Sequence, residues 1–369
     1  MFPCLEINLR NIQENARKVV HFCRKRGIET VGVTKGVCAD LNIVKAMLEG
    51  GIEVLGDSRI QNIIKLKEAY PSTEVMLIRS PMLSEVEKVV EYADYSLNTE
   101  LAVVKKISET CEKLRRTHKV IVMVDVGDRR EGLLPNEVIL FIQKLLNLRR
   151  IEIVGIGSQL GCFGGVLPTF ENQKILVDLA ERIKKELHID VPIISVGGSV
   201  ILKLLEEGNL PGGINQIRSG EAILLGTSTT DSRIIPWLRQ DTFTLKAEII
   251  ELKEKPSLPE GPIGKNAFGH TPQFTDRGIR KRAILAIGGQ DVSIEGLIPL
   301  TDGIEILGGS SDHIIVDVTD SQTNLEVGDI LEFRVNYEAM LRAMTSKYVN
   351  KKYVKIRLRD TPTEGGGTK

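Results

Sequence analysis

The sequence predicts a chain of the α/β class, a (β/α)8 TIM-type barrel with a C-terminal β-rich domain. Three observations predict it. Short β-branched runs alternate with amphipathic helical stretches from residue 10 to about residue 230. These runs number eight. After Trp237 the helical texture stops and strand-like alternation takes over.

The first helical stretch, 10–26, places Ile12, Ala16, Val19, Val20 and Cys23 on one face. Strand runs follow at 30–34, 52–55, 74–78, 94–97, 119–125, 151–156, 192–196 and 214–217. Helical stretches at 41–50, 58–69, 83–92, 99–116, 136–148, 170–187 and 199–207 separate them. Eight strands, each followed by a helix or helical turn, point to a closed barrel. A doubly wound open sheet is the alternative, and no GxGxxG opens the first βα unit to support it. Residues 242–253 alternate in strand fashion, and 282–287, 303–307, 313–318 and 330–335 read as further strands before a helix at 337–346. The Gly- and Pro-containing stretch 255–281 reads as a long loop, and such loops are often functional. The expected division is a barrel over 10–235, a β-rich domain from 1–9 and 236–360, and a disordered tail at 361–369.

Composition narrows the function. Hydrophobic residues at 42% and charged residues at 27% of 369 are the profile of a globular protein. Lys+Arg and Asp+Glu are both 49, so no net charge draws the chain to nucleic acid. No apolar run has the length of a membrane span, and the N-terminus lacks a signal-peptide pattern. Cys4, Cys23, Cys38, Cys111 and Cys162 form no CxxC pair, and their odd number argues against a full disulfide framework. A cytoplasmic setting, no membrane or nucleic-acid partner and no metal are therefore expected.

Chemistry in such a barrel sits at the C-terminal ends of the strands. There the sequence puts Lys35, in Thr30-Val-Gly-Val-Thr-Lys-Gly36, and Asp125-Val-Gly-Asp-Arg-Arg-Glu-Gly132. It also puts there Gln159, Gly197-Gly-Ser199 and Arg218-Ser-Gly-Glu221. Lys35 alone reads either as an ordinary strand-end lysine or as a desolvated nucleophile that holds an aldehyde cofactor as a Schiff base. Gly197-Gly-Ser199 alone reads as a turn with a capping serine or as a phosphate cradle. A lysine, a phosphate cradle and two arginines on one barrel face together describe a site for pyridoxal 5′-phosphate.

On these residues the chain resembles the alanine racemase-like family of pyridoxal phosphate enzymes, over most of residues 5–355. Val31-Gly-Val-Thr-Lys-Gly-Val37 is most similar to the ornithine/lysine racemase branch. The resemblance implies that Lys35 carries the cofactor. It implies that Arg130 contacts the cofactor's phenolic oxygen and the substrate carboxylate, and that Ser199 and Tyr337 bind the phosphate. Arg218 would face the pyridine nitrogen, with Gly220 and Glu221 among the cofactor-binding residues. Gly308-Gly-Ser-Ser-Asp-His-Ile-Ile-Val-Asp317 resembles the stretch that meets the substrate carboxylate, which puts Ser311 there. The family's second base is a tyrosine from the second domain of a partner subunit, so a homodimer with shared active sites is implied.

That tyrosine is missing, since no tyrosine lies between residues 96 and 336. The matching region is Gly264-Lys-Asn-Ala-Phe-Gly-His-Thr-Pro272. An ungapped register puts His270 in the tyrosine's place, and a two-residue shift aligns Phe268-Gly269 instead. His270 is a sound general base, or else a loop histidine with no role. Cys162 is the lesser candidate, with a small buried cysteine as its plain reading. The expected reaction is racemisation of a basic amino acid, ornithine or lysine. Asp291 and Asp312 are expected to pair with its distal ammonium in preference to Asp128, Glu131 and Glu221. The alternatives are an alanine or broad-specificity racemase and a non-catalytic pyridoxal phosphate carrier. Leu55-Gly-Asp-Ser-Arg-Ile-Gln-Asn62 resembles such single-barrel carriers, which have no second domain. A related lyase, either a decarboxylase or a D-amino-acid aldolase or dehydratase, is a further alternative; such decarboxylases use a late cysteine and the dehydratases a late His/Cys pair, and no cysteine follows Cys162.

Overall fold

The computed structural model describes residues 1–354; the tail expected at 361–369, and 355–360 of the expected second domain, lie outside the described residues. Strand β1 (Cys4–Asn8) opens the chain. Then β2 (Glu29–Val33), β3 (Val54–Asp57), β4 (Glu74–Leu77), β5 (Tyr95–Asn98), β6 (His118–Met123), β7 (Ile151–Gln159), β8 (Ile193–Gly197) and β9 (Gln216–Ser219) close into a parallel barrel. Each corresponds to one of the eight apolar runs. The runs read as strands because both faces of a barrel strand are buried. One face, with Val31, Val54, Met76, Leu97, Ile121 and Met123, fills the barrel interior. The other faces the surrounding helices and joins the main core.

The second run begins two residues later than expected. Ile52 still donates its amide to Met47 O at the end of helix Leu41–Glu49, so the strand starts only at Val54. Closure pairs Val31 with Arg218 and Gly32 with Ser219, which sets the ends of β2 and β9 side by side.

A short hairpin, β10 (Thr227–Ser228) and β11 (Arg233–Ile234), follows the barrel. Beyond it β12 (Phe243–Pro256), β13 (Ile279–Leu285), β14 (Leu297–Pro299), β15 (Glu305–Gly309), β16 (Ile314–Asp317), β17 (Ile330–Val335) and β18 (Asn350–Val354) form one sheet with β1. β1 lies antiparallel to β12 and parallel to β18. A register shift between Ile249 and Glu251 bends the long β12 between its partners. The β12–β13 ladder runs out to Pro256 opposite Ile279, so the loop expected over 255–281 is shorter, spanning 257–278. Helix Tyr337–Thr345 leads from this sheet back to the barrel mouth. Its cap Asn336 accepts the Ala339 amide at 2.9 Å. Among the described residues no helix is long and apolar enough to cross a membrane.

Candidate active site

The mouth of the barrel holds a cavity of about 670 Å³, and the ends of several strands line it. Lys35 enters from β2. Its predecessor Thr34 is fully buried and donates its hydroxyl to Asp57 Oδ2 at 2.7 Å. Asp57 ends β3 and also accepts Arg59 N–H and Asn62 Nδ2 at 3.0 Å each. Burial pushes the Asp57 carboxyl above its ordinary value, and these hydrogen bonds pull the other way. The lock fixes the backbone from which Lys35 projects, in the single turn Lys35–Val37. Among the described residues Lys35 makes no ion pair.

Arg218 enters from β9 and is 3% exposed. It donates Nη1 to Ser195 Oγ and Nη2 to the Ser158 carbonyl, both at 2.6 Å, and Nη2 faces Gln159 Oε1 at 3.5 Å. No carboxylate pairs with it among the described residues, and burial lowers its pKa to about 10. A charge this deep without a counter-ion is costly, so the site is built to keep a cation where an acceptor can meet it.

Gly197 makes the arrangement possible. It pairs in the sheet with Gln159 on one side and Arg218 on the other. A Cβ there would fall 1.9 Å from Gln159 Oε1 and 2.5 Å from Arg218 Nη2.

Arg130 reaches the cavity from the loop after β6. Its Nη2 donates to Glu131 Oε1 at 2.6 Å, and its Nε meets Glu131 Oε2. Burial opposes the Arg130 charge, but Glu131 outweighs it, so the Arg130 pKa is raised. Ser199, buried after β8, accepts the Ala222 amide at 2.8 Å and lies 3.3 Å from Ser219 Oγ. It thereby ties the two short helices that start at Ile201 and Glu221 to one spot. The amides of Ile201, Leu202 and Ala222 are already bonded here, so what this corner offers a phosphate is the buried hydroxyls of Ser199 and Ser219.

Tyr337 comes from the second domain. Its ring lies so close to Gly36 that a Cβ there would sit 3.2 Å from Cε2 and 3.4 Å from the phenolic oxygen. Burial, with Glu221 second, pushes the Tyr337 phenol up to about 12, so it remains a donor at neutral pH. Glu221 accepts the hydroxyls of Thr227 at 2.8 Å and Thr229 at 2.7 Å.

Lys35, Arg130, Ser199, Arg218, Gly220, Glu221 and Tyr337 thus line one cavity. His270, Asp291, Ser311 and Asp312 do not line it. They gather in the second domain. His270 is exposed on the 257–278 loop, whose Phe268 ring packs on Gly289. Gly289 in turn donates its amide to Ser310 O at 2.8 Å. Ser311 donates its hydroxyl to Asp312 Oδ2 at 2.8 Å, and both are exposed. Asp291 is buried and accepts Ser346 Oγ at 2.6 Å, so its carboxylate is engaged within its own domain.

Cys162 is not a small buried cysteine. It is exposed and lines the cavity, because three backbone amides bound to Asp128 turn its loop outward. Asp128 is occupied by those amides. The Thr34–Asp57 lock escaped sequence reading, although an acid ending a buried strand beside a key lysine was a usable signal.

The Alanine racemase, N-terminal domain family matches residues 7–228. The chain is 46% identical over 353 residues to a lysine racemase of Thermotoga maritima, covering 96% of this chain and 99% of that one. It is 46% identical over 352 residues to an ornithine racemase of Acetoanaerobium sticklandii, covering 95% and 99%. An alanine racemase from Bartonella henselae with covalently bound pyridoxal phosphate has the same fold. It superposes with a TM-score of 0.72 at 19% identity, over 96% of this chain and all of that one.

Proposed function

The chain belongs to the alanine racemase family, and we propose that it is a pyridoxal phosphate-dependent racemase that interconverts L and D forms of basic amino acids. One observation carries the reading most directly. Lys35, an unpaired buried guanidinium at Arg218 and the Ser199 donor corner converge on a single cavity. The near-identical coverage of lysine and ornithine racemases supports the substrate class. A bare carrier of the cofactor needs no second domain at its mouth, whereas here Tyr337 from that domain closes on Gly36.

The residues present fit the cofactor. The aldehyde falls to Lys35, the phosphate to Ser199, Tyr337 and the amides beside Gly220, and the pyridine nitrogen to Arg218. When bound, pyridoxal phosphate supplies an electron-withdrawing ring that acidifies the Cα–H of an attached amino acid. The protein does the rest. Lys35 takes or returns the Cα proton on one face. Arg218 stays protonated and offers N–H groups that it does not give up. That limits the ring's electron demand and favours return of the proton to Cα over transamination. Arg130, steadied by Glu131, orients the substrate carboxylate.

His270, Ser311 and Asp312 reach such a substrate only from a second copy, so a homodimer with shared sites is part of the proposal. So is a cytoplasmic location, in line with five free cysteines. The test is chiral chromatography of protein supplied with pyridoxal phosphate and each common L-amino acid. D-lysine or D-ornithine should form fastest. Alanine as the best substrate would overturn the substrate class, and no D product from any amino acid would overturn the racemase reading.

A further inference from the structure

We propose that Cys162 is the second proton-transferring group of the cavity, acting on the face of Cα opposite Lys35. The proposal rests on the racemase reading. Racemisation needs a proton taken on one face and a proton given on the other, so a second acid–base group must line the same cavity.

The lining offers few candidates. Glu131 grips Arg130, and Glu221 holds two threonine hydroxyls. The Tyr337 ring packs on Gly36, beside Lys35 itself. Arginine gives up no proton. His270, which an ungapped register nominates, lines no part of this cavity in its own protomer and would enter it only from a second copy, the rival that the test below separates. Cys162 remains.

Its placement is built. The buried Asp128 carboxylate accepts the amides of Gly161 at 3.0 Å, Phe163 at 3.0 Å and Gly164 at 3.1 Å. Those bonds fix the turn that carries Cys162. Gln159 Nε2 donates to the sulfur at 3.2 Å, while its Oε1 faces Arg218 Nη2. The thiol is therefore tied through one amide to the 3%-exposed guanidinium that points into the same cavity. Around the barrel β7 lies three strands from β2 by way of β9 and β8, so Cys162 approaches from well across the mouth.

The step balances without any oxidant. In one direction the Cα–H bond breaks and its proton goes to Lys35 Nζ. On the other face the Cys162 S–H bond breaks and a new Cα–H bond forms, leaving a thiolate. The reverse direction exchanges the two roles.

The test uses the holoenzyme in D2O with L- and D-lysine supplied separately, reading Cα deuterium by NMR and configuration by chiral chromatography. Cys162→Ala should cut racemisation both ways by about a hundredfold or more. One enantiomer should still exchange its Cα–H with retention, through Lys35. Racemisation within about threefold of wild type, on that same scale of general acid–base effects, overturns the proposal. So does the exchange-only signature appearing in His270→Ala instead. A second readout needs no turnover. In cofactor-free protein at one fixed pH, the rate of Cys162 alkylation by iodoacetamide should change in Gln159→Leu, and an unchanged rate would refute the Gln159 link. Wild-type protein that forms no D-lysine or D-ornithine defeats the racemase reading itself, a result separate from any variant's.

Discussion

Replacing Gly197 by alanine isolates the contact on which Arg218 and Gln159 depend. The position carries no left-handed φ, so the backbone accepts a Cβ and only the space is at issue. That Cβ would lie 1.9 Å from Gln159 Oε1 and 2.5 Å from Arg218 Nη2. Arg218 is held by two 2.6 Å bonds and has nowhere to retreat without giving one up. Overpacking costs about 1–3 kcal/mol, and a lost hydrogen bond from a charged donor about 1.5–3 kcal/mol. Together the change should cost about 3–5 kcal/mol, or on the order of 10 °C in melting midpoint for a barrel-sized domain. The assay is thermal unfolding of cofactor-free protein, with pyridoxal phosphate affinity measured alongside. Gly212→Ala is the control, because nothing lies within 4 Å of its added Cβ. If Gly197→Ala melts with the wild type and binds the cofactor equally well, the packing of Gln159 and Arg218 across Gly197 is wrong.

Three further outcomes are expected. Burial raises the Asp57 pKa above the ordinary 3.8, so the stability it contributes is full below the unfolded value and is lost as pH rises through the folded one. Asp57→Asn should therefore gain on the wild type as pH rises from about 4, read from urea midpoints; a difference that does not vary with pH would refute this. Glu131→Gln halves the carboxylate grip on a partly exposed Arg130, worth about 1 kcal/mol. It should raise KM about fivefold with a smaller change in kcat, and an unchanged KM would refute the orienting role. Sedimentation should show a dimer at assay concentration, and an active monomer would contradict shared sites.

Much of the barrel was legible because its strands are continuous β-branched runs, and both faces of each are buried. Residues 1–9 were assigned to the second domain but not read as a strand, because the partners of β1, β12 and β18, lie more than 230 residues away. The β10–β11 hairpin is two residues per strand, too short for any periodicity to register. Within the site, Lys35, Arg130, Ser199 and Arg218 were found at strand ends, where barrel chemistry collects, whereas Tyr337 came only through the family resemblance. Two features went unread. The Thr34–Asp57 hydrogen bond joins residues 23 apart across neighbouring strands. The outward turn of Cys162 depends on Asp128, 33 to 36 residues earlier in the amides it binds. His270, Ser311 and Asp312 were named only through the family register, and they do not line this protomer's cavity.

The central claim is that the barrel mouth is a pyridoxal phosphate site centred on Lys35. Borohydride reduction of the holoenzyme, followed by peptide mapping with mass spectrometry, tests it most directly. The account predicts a single phosphopyridoxyl group, on the peptide containing Lys35, and none in Lys35→Ala. The label on another lysine, or undiminished labelling in Lys35→Ala, would contradict it.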